Sequence, residues 1–383
     1  MAADPTNIVL VGGGHAHVHV LKAFGQWRDP QLRLTLIARD LMTPYSGMLP
    51  GVVAGLYTAD EAHIDLEKLA AATGTRLVHA AATGIDRANK QVTCGGHAPV
   101  AYDLLSLDVG STPSLDAIPG AREHGIAVKP IGDFLAKFDA LLAACAKPDG
   151  PRRIAVIGGG AGGVELLLSV RTRLRAEAAR AAGDPDSFSF QLVTDGAVLP
   201  THNVRVRKAF RRVFAACNIS LLENRRVAAI RAGAIELGDG SSLPADATFL
   251  VTQAAAPSWF AATGLTLDSR GFIAVGPTLQ SLNEPAIFAV GDCAALVDSP
   301  REKAGVYAVR EGPPLAANLR RLAHGETPHA FHPQARHLAL ISTGERYAVA
   351  SRGALKLEGA WLWTVKDWID RRWMAQYKEI ERP

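Results

Sequence analysis

Along the chain, short apolar runs break into glycine turns and are followed by stretches of helical periodicity. Asn7–Val11 is an apolar run that ends in Gly12-Gly13-Gly14; a helical stretch follows to about Phe24, and Leu32–Ala38 is the next apolar run. This order predicts a strand–helix–strand unit. The plan recurs: Arg153–Ile157 leads into Gly158-Gly159-Gly160, a helical stretch to about Ala182, and a strand at Phe188–Thr194. The turn cluster Pro148-Asp149-Gly150-Pro151 marks the entry to this second unit. Further along, Pro285–Val290 reads as a buried strand ending in Gly291-Asp292, and Lys303–Ala323 as a helix. His337–Ser342 and Tyr347–Ser351 read as strands ahead of a tryptophan-rich helical tail. The pattern predicts an α/β fold with two Rossmann-like dinucleotide-binding domains and a small C-terminal α+β segment.

Composition narrows the class. A chain of 383 residues suggests two or three domains at about 100–200 residues each. Hydrophobic residues make up 48% and charged residues 20%, enough for extensive cores. Glycines and prolines are dispersed, which speaks for turns rather than disorder. The net charge of +4 carries no block of like charge, so nothing points to nucleic acid. No signal peptide and no membrane-spanning run is visible. Cys94, Cys145, Cys217 and Cys293 lie far apart, without metal-ligand or redox spacing, and fit a reducing cytoplasm. His15, His17 and His19 lack an accompanying carboxylate or cysteine at ligand spacing, and no metal is expected.

The glycine loops carry the first chemistry. In a dinucleotide fold the first glycine permits the turn and the second lets backbone approach the pyrophosphate at the helix N-terminus. The third allows close helix–strand packing. Gly158-x-Gly160-x-x-Gly163 meets all three demands. Gly12-Gly13-Gly14-His15-Ala16-His17 keeps two glycines but has His17 in third place. Helix and strand there are expected to pack further apart, or the ring to turn outward. Acidic residues near the second strand usually take ribose hydroxyls. The first unit has Ala38, then Arg39 and Asp40; the second has Thr194, then Asp195, which mildly favours NADH over NADPH.

With both loops in view, the chain resembles the two-dinucleotide flavoproteins of the pyridine nucleotide-disulfide oxidoreductase superfamily. Tyr102–Pro113 looks like that family's crossover "Y-D-x-L-x-x-A-T-G-S-x-P", and Ala245–Thr252 like its counterpart after the NAD domain. Ile287–Ala294 looks like the C-terminal FAD motif, in which Asp292 would hold the ribityl chain. Within the superfamily the chain resembles type II NADH:quinone oxidoreductases. It resembles most closely the NADH-dehydrogenase-like module fused to selenide, water dikinase, through Gly12–Val20, Thr43–Gly51, His63–Leu66 and Lys303–Arg310.

The resemblance implies an FAD domain at residues 1–115 and 275–325, interrupted by an NAD(P)H domain at 116–274, with a C-terminal segment at 326–383. It implies FAD and NADH or NADPH as cofactors. FAD contacts would come from Gly12, Gly14, His15, Ala16, Arg39, Pro44, Ser46, Gly110, Gly291, Asp292 and Ala304. The dinucleotide would meet Gly158, Gly160, Gly163 and Asp195. Pro50 would start a short helix beside the flavin, and Ala304 the helix facing the flavin N1/C2 edge, where Lys303 could add charge. Glu165 would lie near the nicotinamide, with Lys129 a comparable case. His63 reads either as lining the acceptor site or as a structural histidine.

No cysteine stands in Tyr45–Pro50, which disfavours reduction through an enzyme thiol. A quinone is then the natural acceptor, although the family's A-Q-x-A-x-Q reads Gly305-Val306-Tyr307-Ala308-Val309-Arg310 here. A soluble reductase for a protein or a selenium/sulfur compound, and a flavin redox sensor, are the alternatives. The tail places Leu362, Val365, Ile369 and Trp373 near one helical face, with Lys366, Arg371 and Arg372 available to lipid headgroups. Residues 359–383 read as a peripheral membrane contact on the cytoplasmic face, a homodimer contact, or core.

Overall fold

The computed structural model describes residues 4–251 and 254–378. Two sheets organise the molecule, the smaller wholly parallel and the larger parallel except where Gln280–Ser281 pairs antiparallel with both its neighbours. The larger has Thr6–Val11 between Leu32–Ala38 and Leu104–Leu107, all parallel. Arg76–His79 extends it on one side and Glu284–Ala289 on the other. The strand predicted late in the chain, after the whole second unit, therefore returns to the first sheet. The smaller sheet runs Gly125–Ala127, Ala247–Leu250, Arg153–Ile157, Ser189–Val193, Ile219–Leu222, again parallel. These strands are nearly continuous apolar runs because helices cover both faces of such sheets. Ile8, Leu10, Leu36, Leu105 and Ile287 are fully buried in one core, and Ile154, Val156, Leu192 and Phe249 in the other.

Both expected helices begin directly after their glycine turns, at His15–Trp27 and Ala161–Arg180. The chain passes between the sheets twice, and the two passages pair as a short antiparallel ribbon, Thr112 with Ala255 and Pro113 with Ala254. Small antiparallel sheets at 82–101 and 227–244 are additions the periodicity did not reveal, and a third, at 339–359, joins the two strands expected at His337–Ser342 and Tyr347–Ser351 to an unexpected Leu355–Gly359. The last of them carries the C-terminal helix Ala360–Lys378; residues 379–383 of the expected tail segment lie outside the described residues, as does Thr252 of the second crossover motif.

That helix is amphipathic, but its faces differ from the expected ones. Leu362, Trp373, Met374 and Tyr377 are buried against the body of the protein. Trp361, Val365, Trp368 and Ile369, at helical spacing, form the exposed stripe. Leu362 and Trp373 therefore do not share a face with Val365 and Ile369. Lys366 is likewise turned inward, with its amine bonded to protein rather than open to headgroups.

Candidate functional site

The strand Thr6–Val11 ends on Gly12, whose φ of 93° and lack of a side chain let the carbonyl of Asp108 pack against it. Gly158, with φ 127°, meets the carbonyl of Val251 in the same way in the second unit. Both helices start on an extended glycine, Gly14 or Gly160, with no side-chain cap. The amides of Gly13, Gly14 and His15 find no acceptor among the described residues. Open amides at a helix N-terminus are an anion site, and they suit a pyrophosphate.

The third position separates the loops. A Cβ at Gly163 would overlap the carbonyl oxygen of Gly158, so glycine is needed there. At the matching place in the first unit, His17 turns its ring inward, which removes the outward turn from the two expected arrangements, and is fully buried. His17 Nδ1 lies 2.7 Å from the Gly12 carbonyl and Nε2 lies 2.9 Å from Ser106 Oγ. A carbonyl only accepts, so Nδ1 carries the hydrogen and Nε2 accepts from the serine hydroxyl. Burial pushes the imidazole down to about 4 and keeps it neutral.

Two carboxyls that sequence reasoning missed lie at this site. Asp108 Oδ2 accepts from the amides of Ala16 at 2.9 Å and His17 at 3.2 Å. Glu311, on the helix Gly305–Ala323, accepts from Gly291 N–H at 2.6 Å. Burial raises Asp108 to about 8 and Glu311 to about 7. The available signal was a charged residue inside an apolar stretch, Leu107-Asp108-Val109, where the family crossover has alanine.

Gly291 adopts φ 64°, opening the turn that presents Asp292. Lys129 Nζ donates to Asp292 Oδ2 at 2.6 Å and to Ser111 Oγ at 2.9 Å, and Ser111 donates to the same carboxylate at 3.2 Å. Lys129, Ser111 and Asp292 come from three separate segments that converge here, beside Gly110 with φ 71°. Lys303 takes another direction: its amine donates to the Ala294 carbonyl and sits 4.0 Å from the centroid of Phe272. Burial lowers its pKa. Ala304 is the N-cap of the following helix.

The segment expected beside the flavin folds as a short strand, Met42–Pro44, paired with His63–Asp65, and a helix, Leu49–Ala54, with Pro50 in its first turn. Ser46 Oγ is 3.2 Å from His15 Nε2, and Thr43 donates to the Gly13 carbonyl at 2.7 Å. The ring of Tyr45 stacks on Trp373 at 4.2 Å, and His15 lies 5.3 Å from both rings. Lys366 donates to the Gly47 carbonyl and to Asp370, each at 2.6 Å. The C-terminal helix thus closes over the segment carrying Ser46 and Gly47.

Glu165 accepts from Ser342 N–H at 2.7 Å, and burial raises it to about 7, partly offset by the Lys366 charge. Asp195 is exposed just past the strand Ser189–Val193 and makes no side-chain hydrogen bond among the described residues. Arg39 is paired with Asp40 at 2.5 Å, at the exposed end of Leu32–Ala38. His63 donates through Nδ1 to the Ala59 carbonyl at 2.6 Å, as a structural histidine would. The first-loop cluster around Gly12, Gly14, His15, Ala16, Gly291 and Asp292 is brought together by the fold. Gly158, Gly160 and Gly163 form the second cluster, and Glu165 lies two residues beyond it.

Comparison with known proteins agrees with this geometry. Residues 6–319 match the family model for pyridine nucleotide-disulphide oxidoreductase. A probable ferredoxin reductase of Castellaniella defragrans is 28% identical over 74% of this chain and 67% of its own length. The type II NADH:quinone oxidoreductase of Staphylococcus aureus is 22% identical over 86% of each chain. Among solved structures, the sulfide:quinone oxidoreductase of Aquifex aeolicus superposes with a TM-score of 0.82 at 19% identity, covering 98% of this chain and 92% of that one. NDH2 of Plasmodium falciparum bound to NADH superposes with a TM-score of 0.83 at 16% identity, covering 99% of both. The chain belongs to the pyridine nucleotide-disulphide oxidoreductase family and is an FAD-dependent NAD(P)H oxidoreductase.

Proposed function

We propose that this enzyme passes the electrons of NAD(P)H through FAD to a quinone drawn from a membrane surface. FAD supplies the chemistry of accepting a hydride and releasing electrons. The chain's own residues bind and orient: Gly12–His15 and Gly291-Asp292 for FAD, Gly158–Gly163 and Asp195 for the nicotinamide dinucleotide. Lys129 holds the Asp292 carboxylate in place, and Glu165 stands ready near neutral pH to hold or release a proton.

The observation that carries the reading is the two-sided C-terminal helix. Its inner face, through Lys366 and Trp373, closes on Gly47 and Tyr45; its outer face exposes Trp361, Val365, Trp368 and Ile369. One element therefore joins the flavin-facing segment to an apolar surface of the kind that seats in a lipid interface. Arg372 over the Trp368 ring, at 5.3 Å, places a cation beside that stripe. No described helix is long and apolar enough to cross a bilayer, so the contact would be peripheral. The four cysteines are free and none lies in the Tyr45–Pro50 segment, which leaves no thiol there to carry electrons onward.

The test is anaerobic bleaching of the flavin by NADH, then reoxidation by ubiquinone or menaquinone analogues, oxygen, ferredoxin and selenium compounds, with and without liposomes. Quinone turnover stimulated by liposomes is expected. Reoxidation by ferredoxin or a selenium compound alone, or a lipid-indifferent dimer that buries the tryptophans, would overturn the reading.

A further inference from the structure

The two glycine loops are copies of one plan, and they differ in one charged group. In each, the residue at the end of the crossover strand sets its carbonyl against the first glycine: Asp108 against Gly12, Val251 against Gly158. Asp103 and Asp246, five residues earlier in each case, accept from a backbone amide at the start of the first strand and five residues before its glycine, Asn7 N and Arg153 N. The register therefore matches residue for residue. Where the dinucleotide loop has a valine side chain, the FAD loop has a carboxyl.

That carboxyl is only 3% exposed and is wedged between Gly14 and Gly291; a Cβ on Gly14 would overlap it, and one on Gly291 would lie 2.5 Å from Oδ1. Oδ2 takes the Ala16 and His17 amides, whereas Oδ1 takes no hydrogen bond among the described residues. The next amides back along the same turn, those of Gly13, Gly14 and His15, are the ones open to a phosphate. An ionised carboxylate and a pyrophosphate would then share one helix N-terminus at close range, and two anions so placed cannot both stay charged cheaply. The phosphates cannot take up a proton near neutral pH. The carboxyl can.

We infer that FAD is held by the acid form of Asp108, so that binding in alkaline solution is coupled to uptake of one proton and the cofactor is released more readily from the carboxylate form. The proton comes from solvent, sits on Oδ1, and leaves Oδ2 as the acceptor of the two amides. The groups facing Asp108 leave it without a cation of its own. The His17 ring is kept neutral by burial, Glu311 lies on the packed helix, and Cys293 is a buried thiol. Asp292 is already paired with Lys129. Lys303 is committed to the Ala294 carbonyl.

The experiment measures FAD release on dilution of the full-length holoprotein, by flavin fluorescence, from pH 6.5 to 9.5. The wild-type dissociation constant should rise by up to roughly tenfold per pH unit above about pH 8, as linkage to one proton requires. Asp108→Asn should flatten that rise to within about threefold across the range. Asp108→Val, which copies the residue at position 251, supplies the same readout should the asparagine variant fail to fold. A flat wild-type profile would overturn the inference. So would a slope that survives in both Asp108 variants, or one that disappears in Glu311→Gln while Asp108→Asn keeps it, since the proton would then belong elsewhere.

Discussion

His17 shows how much a single side chain can be asked to do. It stands where the pattern calls for glycine, and it fills that position by bonding the very carbonyl that a Cβ at Gly163 would strike in the other loop. Its second nitrogen reaches Ser106, 89 positions away. Replacing His17 with alanine leaves the Gly12 carbonyl and Ser106 hydroxyl buried without partners and opens a cavity. We expect a loss of about 3 kcal/mol in stability, read from urea unfolding midpoints. The local spacing in the sequence revealed the loop but not the direction of this ring, because its second partner lies on a strand that only the tertiary fold brings near. Asp108 was hidden for the same reason: its carboxyl acts on amides 91 and 92 positions away.

The C-terminal helix is the element whose existence was readable and whose orientation was not. Helical periodicity placed apolar residues at suitable spacing, but with four tryptophans on the helix several stripes compete. Packing decided between them, and the inward face took Lys366 and Asp370 along with Trp373. These two form a pair with side chains only 12% and 7% exposed. Lys366→Met should cost about 3–5 kcal/mol because it leaves Asp370 charged and unpaired. The double variant with Asp370→Leu should recover much of that loss in the same unfolding assay. On the opposite face, replacing both Trp361 and Trp368 with serine should weaken liposome partitioning by about tenfold or more. Flavin bleaching by NADH should be unchanged in that variant, since neither ring touches the segment Tyr45–Gly47 among the described contacts.

The whole molecule stores buried titrating groups of opposite sense. Asp108 and Glu311 are raised by burial to about 8 and about 7, so their share of stability is present below their unfolded values and is lost as pH rises through the folded ones. His15 and His17 are lowered to about 4, so theirs is present above about 6.5 and is lost as pH falls toward 4. The two pairs oppose each other between about 4.5 and 6.5, and above that window the acids act alone. Urea midpoints should therefore decline from pH 6.5 to 8, by up to about 1.4 kcal/mol per pH unit for each acid still titrating. Glu311→Gln should remove its part of that decline. At this level the fold was largely readable, because two strand–glycine–helix starts and a late return strand leave few arrangements open. The small antiparallel sheets at 82–101 and 227–244, and the last strand of the third, Leu355–Gly359, were not, since these strands are short and half exposed.

The pairing of Thr112 with Ala255 and Pro113 with Ala254 bears on how such a chain could be rebuilt. Where the polypeptide leaves the larger sheet and where it comes back lie side by side, one strand spacing apart. Seen as connectivity, the smaller parallel sheet is a long excursion from a single point on the larger one. Exchanging that excursion for another of the same kind requires two adjacent joins and no rerouting of the rest. On the proposed assignment of the cofactors, a nicotinamide-binding half with a different coenzyme preference could be grafted at this ribbon while the larger sheet keeps its own strand order.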